Sequence, residues 1–262
     1  MIATKKNKPL YLLFDGDMLV FEAAASCETT VNWYGDVWTV HSNASDTQAM
    51  VEDRIADITS KILTKLNIDT KYEIIICFSD PEKNFRKEIL TSYKGTRSGK
   101  LKPTSYGATR TWIEERYNCC CYPTLEADDC VGLLANKYKG HEVHISGDKD
   151  FKTIAGIFYN HLQGEMYTIT EEEAYRNFLV QTLAGDTADN YKGCPRIGVK
   201  SANKAFDSYG VSWETVVWLF KHAGLTEEDA LTQARVAYIL QKKGDYDIKS
   251  HKVRLWKPSK KN

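Results

Sequence analysis

The stretch that decides the fold, residues 125–150, reads LEADDCVGLLANKYKGHEVHISGDKD. Acidic residues lie at both ends, and an apolar helical pattern and a short alternating strand lie between them. One acidic group therefore begins a helix and the other follows a strand. Carboxylates a few ångströms apart repel unless one is protonated or a cation lies between them, and oxygen ligands suit Mg²⁺ or Mn²⁺. The alternative is that these acids only favour the dipole of the helix N-terminus.

The same placement of acids recurs at two earlier strands. Residues 10–14 form a buried apolar run followed by Asp15 and Asp17, and residues 72–78 form a second run followed by Asp80. In open parallel α/β sheets, ligands bind beyond the carboxyl ends of the strands. The repetition therefore predicts a parallel sheet with an acidic site along one edge.

Composition indicates a globular protein, since 42% of the 262 residues are hydrophobic and 27% are charged. No apolar run approaches the roughly 20 residues that a membrane helix needs. The first nine residues lack the apolar core of a signal peptide, so we expect a cytoplasmic protein with no membrane partner. The seven cysteines show no zinc-type CxxC spacing, and we expect reduced, mostly buried thiols.

Charge is balanced overall but unevenly distributed along the chain. Lysine plus arginine and aspartate plus glutamate each number 35, yet segment 83–110 has eight basic residues and one acidic residue. Segment 241–262 has eight basic residues and two acidic ones. Basic residues interleaved with tyrosines suit a phosphate backbone and unstacked bases, although a solvated linker shows a similar pattern. We expect segment 83–110 to be a mobile loop or a partly helical arch.

The last third of the chain predicts helices. Thr170 and Glu173 form a capping-box pattern for a helix through residue 183, and Asp186 and Asp189 follow it. The glycine-rich turn at 193–202 then leads into a helix whose N-terminus exposes backbone N–H groups to an anion. Such a turn binds phosphate without reading base sequence, whereas an ordinary turn between helices would have no ligand. Further helices are predicted at 213–222 and 226–241, and Trp256 is a candidate for docking the basic tail.

Two elements of the first half are predicted by simple patterns. Residues 31–40 indicate a β-hairpin around Gly35, which we expect to cover an edge of the core. Asp46 is expected to cap a long amphipathic helix whose apolar stripe runs from residue 51 to residue 66.

The ordered set of acids and the glycine-rich turn together resemble the 5′→3′ exonuclease and flap endonuclease superfamily, in particular its short members from tailed bacteriophages. The resemblance extends over nearly the whole chain. It implies an α/β fold with a resolvase-like, PIN-like nuclease domain and a central, mostly parallel sheet at residues 1–168. Residues 83–110 would form the arch. A helical DNA-binding region would occupy residues 169–262, with a helix–three-turn–helix at about 178–209.

The resemblance also implies two Mg²⁺ ions, which Mn²⁺ can replace. The first ion would be surrounded by Asp15, Asp80, Glu126 and Asp128. The second would be surrounded or supported by Asp129, Asp148, Asp150, Asp186 and Asp189. Asp17 departs from the commonest family pattern and is expected to act through a hydrogen bond or a water molecule.

Basic residues of the arch and of the helical turn complete the implied site. The candidate catalytic cations are Lys87, Lys94 and Arg97. The candidate DNA contacts are Arg86, Lys87, Tyr93, Lys94, Arg97, Gly193, Arg196, Gly198 and Lys200, with a K⁺ ion at the helical hairpin. The implied activity is two-metal hydrolysis at the 5′ end of duplex or flapped DNA, together with removal of RNA from RNA–DNA hybrids. The implied setting is phage DNA replication, recombination or host DNA degradation in the infected bacterial cytoplasm.

Three other functions fit parts of the sequence. A haloacid-dehalogenase-like phosphatase would use Asp15 as nucleophile and Asp17 as general acid, but its late motif at Asp186 should follow a strand, whereas residues 177–184 predict a helix. A non-catalytic DNA-junction module has no need of nine acids, whose charge opposes DNA binding. A small PIN-type ribonuclease resembles the first domain but carries fewer acids and lacks the helical turn.

Overall fold

The computed structural model describes residues 8–97 and 99–258. Its strands are β1 (Leu10–Asp15), β2 (Thr29–Asn32), β3 (Trp38–His41), β4 (Tyr72–Cys77), β5 (Asn118–Cys120), β6 (Glu142–Ser146), β7 (Gly156–Asn160), β8 (Glu165–Ile169), β9 (Tyr246–Asp247) and β10 (Lys252–Val253). Its α-helices are α1 (Gly16–Ser26), α2 (Ala44–Leu66), α3 (Arg86–Ile89), α4 (Tyr106–Arg116), α5 (Ala127–Lys137), α6 (Glu171–Ala184), α7 (Val199–Tyr209), α8 (Trp213–His222) and α9 (Glu227–Ala237). Short 3₁₀ turns occupy Gly95–Arg97 and Lys149–Thr153.

A six-stranded sheet in the order β5-β4-β1-β6-β7-β8 forms the centre of the fold. Neighbouring strands run parallel except at β7 and β8, which are antiparallel. In β1, Leu12 pairs with Ile74 on one side, and Phe14 pairs with Ile145 on the other. The predicted α/β fold with a mostly parallel sheet is therefore confirmed, and the ends of β1, β4 and β6 meet at one edge.

Alternating residues of β1 enter two hydrophobic cores on opposite faces of the sheet. Leu12 and Phe14 belong to the core that the stripe of α2 covers, and Leu13 belongs to the core that includes α5, α6 and the C-terminal helices. Burying each large apolar side chain stabilises the fold by about 1.5–3 kcal/mol. Because both faces are buried, the strand reads as a continuous apolar run.

Helix termini follow the predicted chemistry with one exception. The capping box of α6 is confirmed, since Glu173 N donates to Thr170 Oγ1 at 3.1 Å and Thr170 N donates to Glu173 Oε2 at 2.9 Å. The expectation that Asp46 caps α2 is wrong. Asn43 is the cap and accepts from Ser45 N at 3.1 Å, while Asp46 lies in the first turn, where its charge still favours the helix dipole.

The hairpin of β2 and β3 forms as predicted but covers no core edge. Its Trp33, Tyr34 and Trp38 side chains are exposed, Tyr34 to 87%. The expectation of a covering role is therefore wrong. In contrast, the predicted docking of Trp256 is confirmed, since its ring lies 5.1 Å from the rings of Phe178 and Trp213.

The basic segment at 83–110 contains α3, a 3₁₀ turn and the start of α4. Residues 259–262 of the basic tail lie outside the described residues. Within the described part of the chain, no helix has both the length and the apolar character needed to cross a membrane.

Candidate metal and nucleic-acid site

Three carboxylates meet at the N-terminus of α5. Ligand atoms of Glu126, Asp128 and Asp129 lie within 4.8 Å of one another. The helix begins here because the Asp129 carboxylate folds back to accept from Glu126 N at 3.2 Å. Glu126 and Asp128 can hold a cation at this point, but Asp129 is already engaged.

Asp129 is bound by a buried arginine, Arg86. The guanidinium of Arg86 is 1% exposed and donates to Asp129 Oδ2 at 2.6 Å and Oδ1 at 2.8 Å. It also donates to Glu126 and to the carbonyl oxygens of Val236 and Tyr238. The expectation that Arg86 contacts DNA is therefore wrong, because its five N–H donors are used inside the protein.

The same contacts occupy Asp129, which was expected to surround or support the second metal ion. Its two oxygens accept from Arg86, from Glu126 N and from Leu240 N, the last at 3.0 Å. Four hydrogen bonds fill the acceptor positions of a carboxylate. Asp129 therefore supports the site from inside, and direct binding of an ion by Asp129 stays a prediction.

Residues 93–97 lie directly on the acids. Lys94 Nζ forms an ion pair with Glu126 Oε1 and lies 3.7 Å from Asp189 Oδ2, and Arg97 lies 2.7 Å from Asp189 Oδ1. The Tyr93 hydroxyl lies 2.8 Å from Glu126 Oε2 and 3.1 Å from Asp189 Oδ2. Tyr93 is 3% exposed, so its ring is buried in this arrangement, and contact of Tyr93 with DNA stays a prediction.

A second acidic group follows β6. Asp148 accepts from Asp150 N at 2.9 Å, which turns the chain and brings the two carboxylates together. Asp150 Oδ1 is buried and has no hydrogen-bond partner among the described residues. Lys149 lies between them in sequence, and its Nζ lies 3.3 Å from Asp186 Oδ2. Lys149 was not among the predicted site residues, although its position between two aspartates indicated that it would lie in the acidic site.

Asp15 and Asp17 connect this group to the sheet. Asp15 caps α1 by accepting from Met18 N at 3.1 Å, and its other oxygen accepts from Ser146 Oγ at 2.9 Å. Asp17 accepts from Ser79 N at 3.1 Å and from the Tyr106 hydroxyl at 2.7 Å. Asp17 therefore joins the end of β4 to α4 through hydrogen bonds.

Asp80, a predicted ligand, is engaged by backbone N–H groups. Its carboxylate accepts from Glu82 N at 2.9 Å and from Thr124 N at 2.6 Å. Partial burial acts to raise its pKa, but these backbone amides and Lys83 outweigh burial and lower it. In this arrangement Asp80 braces the turn after β4.

The pKa values of the acids indicate an excess of negative charge. Burial, together with the neighbouring acids, raises the pKa of both Asp15 and Asp150 to about 7. Burial, Glu126 and Asp129 raise the pKa of Asp128 well above its usual range. Burial acts in the same direction on Glu126, but Lys94 and Arg86 outweigh it and lower the pKa to about 2.

The unpartnered oxygen of Asp150 and the raised pKa of Asp128 are what carboxylates built around a missing positive charge would show. The donors are oxygens, which suit a hard divalent cation. The residues present therefore fit such an ion.

Two glycines hold the loop that presents Asp186 and Asp189. Gly185 and Gly193 have φ of +68° and +65°, and a Cβ on either would lie 2.4 Å from the backbone of the other segment. Gly193 is buried, and its N–H donates to Gln233 Oε1 at 2.8 Å. The expectation that Gly193 contacts DNA is therefore wrong, because its role is this close packing.

The remaining candidates for DNA contact lie at the surface. Gly198 precedes α7, and Arg196, Lys200 and Lys87 are exposed. Lys87 forms no ion pair with the described part of the chain, in contrast to Lys94 and Arg97. Helix α6, and not a strand, precedes Asp186, so the motif order of the phosphatase alternative is absent at this position.

Comparison with known proteins matches this architecture. Residues 11–179 match the family model described as 5′-3′ exonuclease, N-terminal resolvase-like domain. The exonuclease of Escherichia phage T7 is 28% identical over 285 positions, covering 94% of this chain and 93% of the relative. The exodeoxyribonuclease of Enterobacteria phage T3 is also 28% identical, covering 94% and 92%.

Solved structures share the fold. The 5′-exonuclease of phage T5 with bound zinc ions has a TM-score of 0.67 at 15% identity, covering 89% of this chain and 90% of that chain. A complex of the phage T5 flap endonuclease with DNA and metal ions has a TM-score of 0.62 at 15% identity, covering 88% and 89%. With the family match over most of its length and an acidic site at the carboxyl edge of its sheet, the chain belongs to the 5′→3′ exonuclease family.

Proposed function

We propose that this nuclease hydrolyses phosphodiesters at the 5′ end of duplex or flapped DNA with the help of two divalent ions, Mg²⁺ with Mn²⁺ as a substitute. The observation that carries the proposal is a pair of acidic groups, each of which has a lysine paired with one of its carboxylates. Glu126, Asp128 and Asp189 form one group, and Asp148, Asp150 and Asp186 form the other. Family membership and the DNA complex of the phage T5 relative support the same substrate.

We assign the acids to two sets of ligands. Glu126, Asp128 and Asp189 would hold one ion, and Asp148, Asp150 and Asp186 would hold the other. Asp15 belongs beside the second set, because it accepts a hydrogen bond from Ser146 and its pKa is raised in part by the charge of Asp148. When bound, the ions would lower the pKa of an attacking water, hold the phosphate and stabilise the leaving oxygen. Asp129 and Arg86 fix the orientation of Glu126 from inside.

The cations Lys94 and Arg97 are placed to offset charge on the reacting phosphate. Both lie within reach of Asp189, and Lys94 has low exposure, which strengthens its field. Lys87 is exposed and would act earlier, on the approach of the strand. Contacts of this kind are made to phosphates, so the affinity that they give does not depend on the base sequence.

The helical turn before α7 would bind the duplex. Its surface offers the cations Arg196 and Lys200 and the backbone at Gly198, a combination that suits a phosphate at a helix N-terminus. A K⁺ ion at this turn and cleavage of RNA in RNA–DNA hybrids are further parts of the proposal. So is a role in phage DNA replication, recombination or host DNA degradation in the bacterial cytoplasm.

The test uses a 5′-labelled flap duplex and a matching blunt duplex, with Mg²⁺ or EDTA. Wild type is compared with Asp148→Asn and with Asp53→Asn, a control on an exposed position of α2. We expect short 5′ products that need metal, and loss of cleavage by at least about a hundredfold in Asp148→Asn with DNA still bound. Binding without cleavage under either ion would leave a DNA-binding module. Neither binding nor cleavage would favour the phosphatase, to be tested with small phosphate esters.

A further inference from the structure

Residues 92–97, here called the docked segment, are attached to the acidic site by backbone as well as side chains. Lys94 N donates to the carbonyl oxygen of Asp189 at 2.8 Å, and Asn190 Nδ2 donates to the carbonyl oxygen of Ser92 at 2.8 Å. Lys94 has φ of +53°, a left-handed conformation that is unusual for lysine. The segment is therefore held in one specific arrangement over the carboxylates.

Within the docked segment, the Lys94 ammonium lies between carboxylates from two different elements. Glu126 comes from the start of α5, and Asp189 comes from the loop after α6. The Lys94 side chain is only 20% exposed, so its charge is partly removed from water. Its position supplies positive charge that these acids would otherwise lack.

The carboxylate of Glu126 has no free oxygen in this arrangement. Oε1 is bound by Lys94, and Oε2 accepts from Arg86 at 3.1 Å and from the Tyr93 hydroxyl at 2.8 Å. Asp189 is likewise engaged, by Arg97 on one oxygen and by Tyr93 on the other. Each of these oxygens therefore already carries a contact of the docked segment, and a divalent cation would compete with it.

We infer that Lys94 is a built-in counter-ion that competes with the divalent cation for Glu126 and Asp189, so that ion binding releases the docked segment from the site. This inference rests on the proposed metal site and concerns its regulation. Without the ion, the lysine neutralises the acids and closes the site. With the ion, Lys94, Tyr93 and Arg97 lose their carboxylate partners, and their donors become available to an anionic phosphate.

Replacement of Lys94 by the divalent cation determines the order in which the ion and DNA bind. In the docked state the cations of the segment are paired with carboxylates and present no net positive charge to DNA. After the ion has bound, the same cations lie free beside the site where the phosphate must enter. Ion binding therefore prepares the segment for substrate before any DNA is present.

The first measurement is calorimetric titration of DNA-free protein with Mn²⁺ and with Mg²⁺. Lys94→Gln is compared with wild type and with Lys100→Gln, which removes the same charge from an exposed residue without a carboxylate contact among the described residues. Because the competing ammonium is gone, we expect Lys94→Gln to bind the ion about fivefold or more tightly, and Lys100→Gln to match wild type. Unchanged or weaker affinity in Lys94→Gln would overturn the inference.

The second measurement needs no variant. Hydrogen exchange of the peptide covering residues 91–97 in wild type is compared with and without saturating Mn²⁺. We expect faster exchange of the Lys94 amide when the ion is bound, because its hydrogen bond to Asp189 is lost. Equal or slower exchange contradicts release. If the ion binds but neither the affinity of Lys94→Gln nor the hydrogen exchange of the Lys94 amide changes, only the inference about Lys94 is contradicted. If the wild-type protein binds no divalent ion, the proposed function itself is contradicted.

Discussion

Arg86 and Asp129 form a bidentate ion pair that is sealed inside the protein, with N–O distances of 2.6 and 2.8 Å. Removing one partner of a buried pair leaves the other charge without compensation, which costs about 3–5 kcal/mol of unfolding free energy. We therefore expect Arg86→Met to be strongly destabilised in urea unfolding. Lys87→Met, at the exposed neighbouring position, should have nearly wild-type stability. If Arg86→Met is stable but binds DNA more weakly, the result would instead support the expectation that Arg86 contacts DNA directly.

Glu142 should make the protein less stable as pH rises. Burial raises its pKa from 4.5 to about 8, so the unfolded chain loses its proton first. Between those values the folded state binds more protons, and stability falls with pH by up to about 1.4 kcal/mol per unit. We expect Glu142→Gln to remove this loss. The check is the difference in urea midpoint between pH 5 and pH 8, and an identical difference in both proteins would contradict the assignment.

His144 should act in the opposite direction. It is buried against Phe158, and desolvation lowers its pKa from 6.5 to about 3. As pH falls through 6.5, the unfolded chain takes up a proton that the folded state refuses, so stability is lost on acidification. His144→Leu should therefore lose less stability than wild type between pH 7 and pH 4.5. Thermal unfolding of both proteins at the two pH values measures the loss of stability. An equal loss in wild type and His144→Leu would contradict the role of His144.

Gly185 should tolerate no side chain. An added Cβ would meet the carbonyl carbon of Lys192 at 2.4 Å, and φ is +68°. Gly164 has nearly the same φ, +67°, but open space around it. Gly164→Ala should lose only the roughly 1–2 kcal/mol of left-handed strain, and Gly185→Ala should lose clearly more. Equal thermal unfolding temperatures for the two variants would show that the close packing is unimportant.

Lys200 should contribute one phosphate contact to duplex binding. We expect Lys200→Gln to reduce the slope of log affinity against log salt by about 0.9, uniformly across DNA sequences. Lys65→Gln, on the exposed surface of α2, serves as the control. Fluorescence anisotropy with a blunt duplex between 50 and 200 mM salt, roughly the range over which such slopes are resolved, gives the measurement. An unchanged slope would exclude Lys200 from the interface.

The sheet and its acidic edge followed from the sequence because apolar runs and the acids after them are local signals. The prediction that Asp15, Asp148 and Asp186 are metal ligands came from the order of the motifs, and it stays a prediction. Arg86 could not, since the partners that bury it lie up to 152 residues away. A basic residue in a basic segment gives no sign of such contacts, and the burial of Tyr93 could not be predicted for the same reason. The exposure of the β2–β3 hairpin could not be predicted either, because an alternating pattern does not indicate whether another element packs against the hairpin.

The guanidinium of Arg86 also constrains how the chain can be assembled. Its donors reach the carbonyl oxygens of Val236 and Tyr238, and Leu240 N completes the shell around Asp129. The interior around this ion pair is therefore closed by residues more than 100 positions later in the chain than Asp129. A fragment ending near residue 168 would leave the Arg86–Asp129 pair partly open to water. During synthesis, the surroundings of the Arg86–Asp129 pair beneath Glu126 are therefore completed only after residues 236–240 have emerged and packed against it.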